Sequence, residues 1–122
     1  MSKLKADVIK YSKKLNFTNL SALRSGNISV RVKVNGVEGF YITPSGRRYL
    51  SLKPNDIVFV SLKGIYDKKK GKPSSEWRFH QDIYVNKKEA KAIVHAHSTC
   101  ATAVSTHQKS IPAFHYLSLI HI

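Results

Sequence analysis

Asn35-Gly36 stands between two alternating runs, Ile28 to Val34 and Val37 to Thr43, and leaves the chain little choice there. A two-residue type I′ turn needs positive φ at both central positions, which Asn and Gly tolerate, and its twist matches that of the strands it joins. The expectation is an antiparallel hairpin, so the sheet begins antiparallel. Upstream, Leu4, Val8, Tyr11 and Leu15 recur at helical spacing with lysines between them, an amphipathic helix with its stripe toward a core. Downstream, Leu50 to Lys53 reads as a connector, Asp56 to Leu62 as a strand and Lys63 to Lys72 as a charged loop. Ser75 to Val85 then reads as a helix, Ala92 to His97 as a strand and Thr99 to Thr106 as a helix. Helices and strands share one sheet in a mixed α/β domain, and 122 residues suffice for one core.

Within this frame the stretch Pro73 to His97 carries chemistry. On an extended segment side chains two residues apart share a face, so His95 and His97 can present two neutral nitrogens to one ion, with Glu76 as a carboxylate partner. Each feature also has a plain reading. Alternating histidines can be satisfied by backbone carbonyls, and Glu76 suits the first turn of a helix, where negative charge is favoured. Ile93 and Val94 make the segment read as a buried strand interrupted by polar residues, which need partners. Three loops of small residues, Ser25 to Ser29, Thr43 to Gly46 and Ser74-Ser75, have the composition of turns; converging, they would make an anion cradle. His80, one helical turn past Glu76, reads as a satisfied core histidine, and His107 as an exposed turn residue.

Composition narrows the classes. Cys100 is the only cysteine, so an internal disulfide and a thiolate metal cluster are excluded, and metal donors would be nitrogen and oxygen. The net charge of +14 raises nucleic-acid binding, but the lysines are scattered, outnumber the arginines and are not interleaved with stacking aromatics. No nucleic-acid partner is expected. With no long apolar run and no leader-like start, the expected setting is cytoplasmic, with no membrane partner.

Five blocks, Gly26 to Arg31, Ile42 to Gly46, Pro73 to His80, Ala92 to His97 and Ser110 to Tyr116, resemble in wording and spacing the class II aldolase/adducin family, nearest its L-fuculose-phosphate aldolase group. The resemblance implies a three-layer α/β/α fold with a central, mostly antiparallel sheet, incomplete at the C-terminus. It also implies a zinc-dependent aldehyde-lyase that cleaves a ketose 1-phosphate to dihydroxyacetone phosphate and an aldehyde. By the same resemblance His95, His97 and Glu76 are metal ligands, Glu76 also carries a proton, and Tyr116 exchanges a proton at a neighbouring subunit's site in a homotetramer. Asn27, Ser45, Gly46, Ser74 and Ser75 match phosphate-binding positions, with Ser45 where threonine is usual.

The family's third metal histidine lies beyond the end of this chain. The final residues Leu117 to Ile122 are what a sequencing-library transposon end, CTG TCT CTT ATA CAC ATC, encodes in frame. The expectation is residues 1–116 as the N-terminal portion of the family domain, 117–122 as a non-native tail, and no activity from this stretch alone. A sugar-phosphate epimerase or methylthioribulose-phosphate-type dehydratase of the same family, and a non-catalytic adducin-like binding module, are the competing readings. Glutamate rather than aspartate at 76 favours the aldolase over the epimerase, and joint retention of Glu76, His95, His97 and Tyr116 disfavours the binding module.

Overall fold

The computed structural model of the chain describes residues 2–21, 25–110 and 112. Helix α1 (Ser2–Phe17) is followed by strands β1 (Asn27–Val34), β2 (Val37–Ile42) and β3 (Val58–Ser61), helix α2 (Trp77–Asn86), strand β4 (Ala92–His95) and helix α3 (Thr99–Ser105). The hairpin forms as the sequence demands: Asn35 and Gly36 have φ of 47° and 79°, and Val34 pairs with Val37 across the turn. Every pairing is antiparallel, in the order β3-β2-β1-β4.

Period-two alternation assigns the two faces. Ile28 and Tyr41 lie over Val8, Ile9 and Leu15 of α1, with Tyr49, Leu52 and Ile57 completing that cluster. Phe40, Ile42, Val58 and Val60 point the other way, under Tyr84 and Trp77 of α2. Helix, sheet and helix thus make the three layers expected. Arg31, on the α2 face of β1, ties the layers together: its guanidinium donates to the carbonyls of Tyr84 (2.7 Å), Lys87 (3.0 Å) and Ala90 (2.8 Å) and lies 4.8 Å from the Tyr84 ring centre. It caps the C-terminal end of α2, where carbonyls lack partners, and thereby fixes the turn into β4.

Two strands are shorter than their sequence patterns by two residues or more. The pattern from Asp56 yields a strand only from Val58, because Pro54–Asp56 closes a 3-10 turn in which the Lys53 N–H donates to the Asp56 carboxylate at 2.8 Å. The strand expected through His97 stops at His95, where Asn27, the first residue of β1, is its last partner. Gly26, at φ 81°, turns the chain away from the ladder, and the His97 N–H goes instead to the Ser21 hydroxyl at 3.3 Å. Nor is β4 buried on both faces. Among the described residues it forms a sheet edge, with Ile93 packed toward α2 and Val94 60 % exposed on the α1 side. The residues of α3 are likewise exposed. Among the described residues, no helix is long and apolar enough to cross a membrane.

Candidate metal centre and anion pocket

Register brings the candidate residues together. Asn27 sits opposite His95, and both project to the α2 face, where Glu76 occupies the position just before the first turn of α2. That place at the N-terminus of α2 suits a negative charge, as its plain reading expects, but the side chain makes no capping bond. It reaches across to β1, accepting from Asn27 Nδ2 at 2.5 Å, and toward both histidines. Glu76 Oε2 lies 3.4 Å from His95 Nδ1 and Glu76 Oε1 lies 3.8 Å from His97 Nε2. Although His97 lies past the end of β4, the imidazoles stay together, stacked with centroids 4.7 Å apart and planes 25° apart, while Phe79 covers His95 at 5.2 Å.

His95 Nδ1 and His97 Nε2 are buried atoms without a hydrogen-bond partner, which is costly unless something compensates. They belong to a trio, Glu76, His95 and His97, whose donor atoms all lie within 4.8 Å of one another. Two imidazole nitrogens and a carboxylate are the donor set of several catalytic zinc sites, which keep further positions for water or substrate. The residues present fit a divalent cation.

The three small-residue loops do converge. Ser74 N–H donates to the Thr43 carbonyl (2.9 Å) and Ser45 N–H to the Lys72 carbonyl (3.0 Å), with Pro44 and Pro73 bridged between them. Together with Gly26 and Asn27 they line a pocket of about 290 Å³ that also borders Glu76 and His97. Ser45, Gly46, Ser74 and Ser75 thus lie beside the metal trio. Asn27 lines the pocket as well, but its side chain is 2 % exposed and its amide is committed to Glu76 and His80. Tyr116, the remaining expected site residue, lies outside the described residues, as do His115, His121 and the segment 117–122.

Two pocket residues escaped the sequence reading. Arg47 brings a cation to the rim, with its guanidinium 3.9 Å from Asp56; its signal was the Arg47-Arg48 pair directly after the second loop. Tyr49 has no sequence signal. It is buried, donates its hydroxyl to the Gly26 carbonyl, and has its phenol held above the ordinary range by that burial. His80 is the satisfied core histidine expected, fully buried between Ser29 and Asn27, and His107 is exposed in a turn.

Residues 6–121 match the family model described as "Class II Aldolase and Adducin N-terminal domain". A 5-methylthioribulose-1-phosphate/5-deoxyribulose-1-phosphate aldolase of Rhodospirillum rubrum is 39 % identical over 114 residues, covering 93 % of this chain and 49 % of that protein. An L-fuculose phosphate aldolase of Escherichia coli is 39 % identical over 116 residues, covering 95 % and 52 % respectively. A solved L-fuculose 1-phosphate aldolase superposes with a TM-score of 0.84 at 37 % identity, over 95 % of this chain and 54 % of that one. The chain spans about half the length of the relatives it matches. With the fold, and nearly its whole length, in agreement, the chain belongs to the class II aldolase and adducin N-terminal domain family.

Proposed function

We propose that this chain is the metal-bearing N-terminal portion of an aldehyde-lyase that cleaves a ketose 1-phosphate to dihydroxyacetone phosphate and an aldehyde. The observation that carries the reading is the pair of orphaned buried nitrogens on His95 and His97, facing the Glu76 carboxylate beside a pocket of serine and glycine loops. Those three side chains would hold a zinc ion or another divalent cation. When bound, it supplies Lewis acidity that polarises the carbonyl next to the breaking carbon–carbon bond.

The chain's own groups supply binding and proton handling. Ser45, Gly46, Ser74 and Ser75, with Arg47 at the rim, receive the phosphate, whose charge the excess of lysine and arginine attracts from a distance. Asn27 lines that cradle, and its side-chain amide holds the Glu76 carboxylate beside it. The Glu76 carboxylate, shared between the trio and the pocket, takes and returns the proton at the reacting centre. Tyr116 carries a further proton at the site of a neighbouring copy in a homotetramer. Residues 1–116 belong to the family domain, 117–122 are non-native, and the protein acts in the cytoplasm.

Release of dihydroxyacetone phosphate tests the reading. With the gene continued past the Tyr116 codon to the length of the relatives, the product should cleave fuculose 1-phosphate or 5-deoxyribulose 1-phosphate, lose the activity to a chelator and regain it with zinc. An active product indifferent to chelation would overturn the metal assignment. Epimerised sugar phosphate, or dehydration without carbon–carbon cleavage, would transfer the site to the other reactions of the family. DNA encoding no further histidine in a second strand would leave the centre with the present three donors.

A further inference from the structure

Glu76 just before α2 and His80 and Tyr84 within it recur every fourth residue along one stripe, and Asn27 and Ser29 alternate on the facing side of β1. The stripe and the strand face are joined by hydrogen bonds throughout. Asn27 Nδ2 meets Glu76 Oε2 at 2.5 Å, Asn27 Oδ1 meets His80 Nε2, His80 Nδ1 meets Ser29 Oγ at 2.6 Å, and Ser29 Oγ meets Tyr84 Oη at 2.8 Å. Ser29, His80 and Tyr84 have no exposed surface.

Donor chemistry gives this chain of contacts one direction. A carboxylate only accepts, so Asn27 turns its NH₂ to Glu76 and its carbonyl oxygen to His80. His80 must then donate from Nε2. Burial, reinforced by His95 and only partly offset by Glu76, pushes the His80 imidazole down to about 4, so near neutral pH the ring has a single N–H. Nδ1 is therefore an acceptor, Ser29 gives its hydroxyl hydrogen to it, and Tyr84, with its phenol pushed up to about 12 mainly by burial, gives its hydrogen to Ser29.

We propose that Tyr84, Ser29, His80 and Asn27 are positioning residues, forming one hydrogen-bond chain in which every donor points toward Glu76 and fixes the orientation of its carboxylate. Packing alone does not call for such a chain, because apolar residues of matching shape at these positions would serve stability equally well. A ligand carboxylate does call for it, since groups that hydrogen-bond to metal ligands set their orientation. The purpose rests on the metal reading above; the direction does not.

Two measurements on the intact chain separate these. Long-range proton–nitrogen NMR of the metal-free protein near neutral pH should show His80 wholly as the Nε2–H tautomer, and an Nδ1–H tautomer or an imidazolium there overturns the direction. Calorimetric zinc titration should show His80→Phe weakening binding about tenfold. His80→Gln, whose Nε2 can still donate to Asn27, should stay within about threefold of the parent. A folded His80→Phe variant with parental affinity overturns the positioning role. Should that variant not fold, Ser29→Ala serves: it should leave His80 as the Nε2–H tautomer that Asn27 dictates but weaken zinc up to about fivefold, and an unchanged affinity overturns the positioning role. If the parent chain binds no zinc, the metal reading and the purpose fall together, while the tautomer still decides the direction.

Discussion

The two faces of the sheet are built from the same strands and do different work. Under α1, Val8, Ile9 and Leu15 meet Ile28 and Tyr41, and the buried Ser12 hydroxyl bonds within its own helix, to the Val8 carbonyl at 2.7 Å. Under α2, Phe40, Ile42, Val58 and Val60 make a comparable apolar patch, but a polar seam of Asn27, Ser29 and His80 runs beside it and ends at Glu76 and the two histidines. One face serves stability. The other interrupts its packing with groups that must all find partners, an expense that makes sense only where the partners position something.

Truncation on each face is the strongest way to break this contrast. Phe40→Ala should cost about 4 kcal/mol and Leu15→Ala about 3 kcal/mol in denaturant unfolding. Zinc affinity separates them. Phe40 packs 5.2 Å from the Tyr84 ring and 6.5 Å from His80, so its loss should loosen the seam and weaken zinc binding severalfold, whereas Leu15→Ala should leave affinity as it was. Equal loss of zinc binding in the two folded variants would dissolve the distinction.

Acid should act through the α2 face next. His80 is held near 4 in the folded chain against an ordinary 6.5. Above 6.5 neither state binds the proton and His80 is silent. As pH falls from 6.5 toward 4 the unfolded chain takes up a proton that the folded one refuses, so stability is lost across that window, by up to about 3 kcal/mol. Unfolding free energies of the parent and His80→Gln, compared between pH 7 and pH 4, should show that dependence reduced in the variant. Parallel curves would mean that His80 titrates normally when folded.

The legible and illegible parts of this molecule divide along the same line. The hairpin could be read from Asn35-Gly36 and the α1 stripe from its spacing, because both are local signals. His95 and His97 were legible as an ambiguous pair, and the small-residue loops as turns. What resolved them is the pairing of Asn27 with His95, 68 residues apart, which no local pattern states. The seam stayed hidden for a physical reason. Polar alternates on a strand ordinarily face water, so Asn27, Ser29 and Arg31 resemble the wet side of a half-buried strand, while α2 in fact covers them. The matching fourfold repeat of Glu76, His80 and Tyr84 was visible, but identical to the spacing of any helix face.

Gly26 probes the junction at which the seam meets β4. At φ 81°, an added Cβ would fall 2.6 Å from the His95 carbonyl oxygen and into the Ser21 hydroxyl. Gly26→Ala should therefore cost about 2 kcal/mol from backbone conformation alone. It should also push β1 from β4 at the point where Asn27 and His95 face each other, so zinc affinity should fall along with Tm. A lowered Tm with unaltered zinc binding would show that the metal trio is positioned by α2 rather than by this strand junction.

The smallest effect is expected where the α1 face runs out. Val94 lies 60 % exposed at the far edge of the sheet, over a groove of about 340 Å³ bordered by Leu4, Tyr11, Ile28 and Ala92. A valine that remains mostly in water contributes little, and threonine keeps its shape and strand preference. Val94→Thr should then change the unfolding free energy by less than about 0.5 kcal/mol and leave zinc affinity alone, since the side chain faces away from the trio. A loss above about 1 kcal/mol would mean that this valine is covered in solution, because burying a hydroxyl without a partner costs at least that much. Measuring the loss at several protein concentrations would then distinguish a cover contributed by a second copy, which dilution removes, from one within the chain, which it does not.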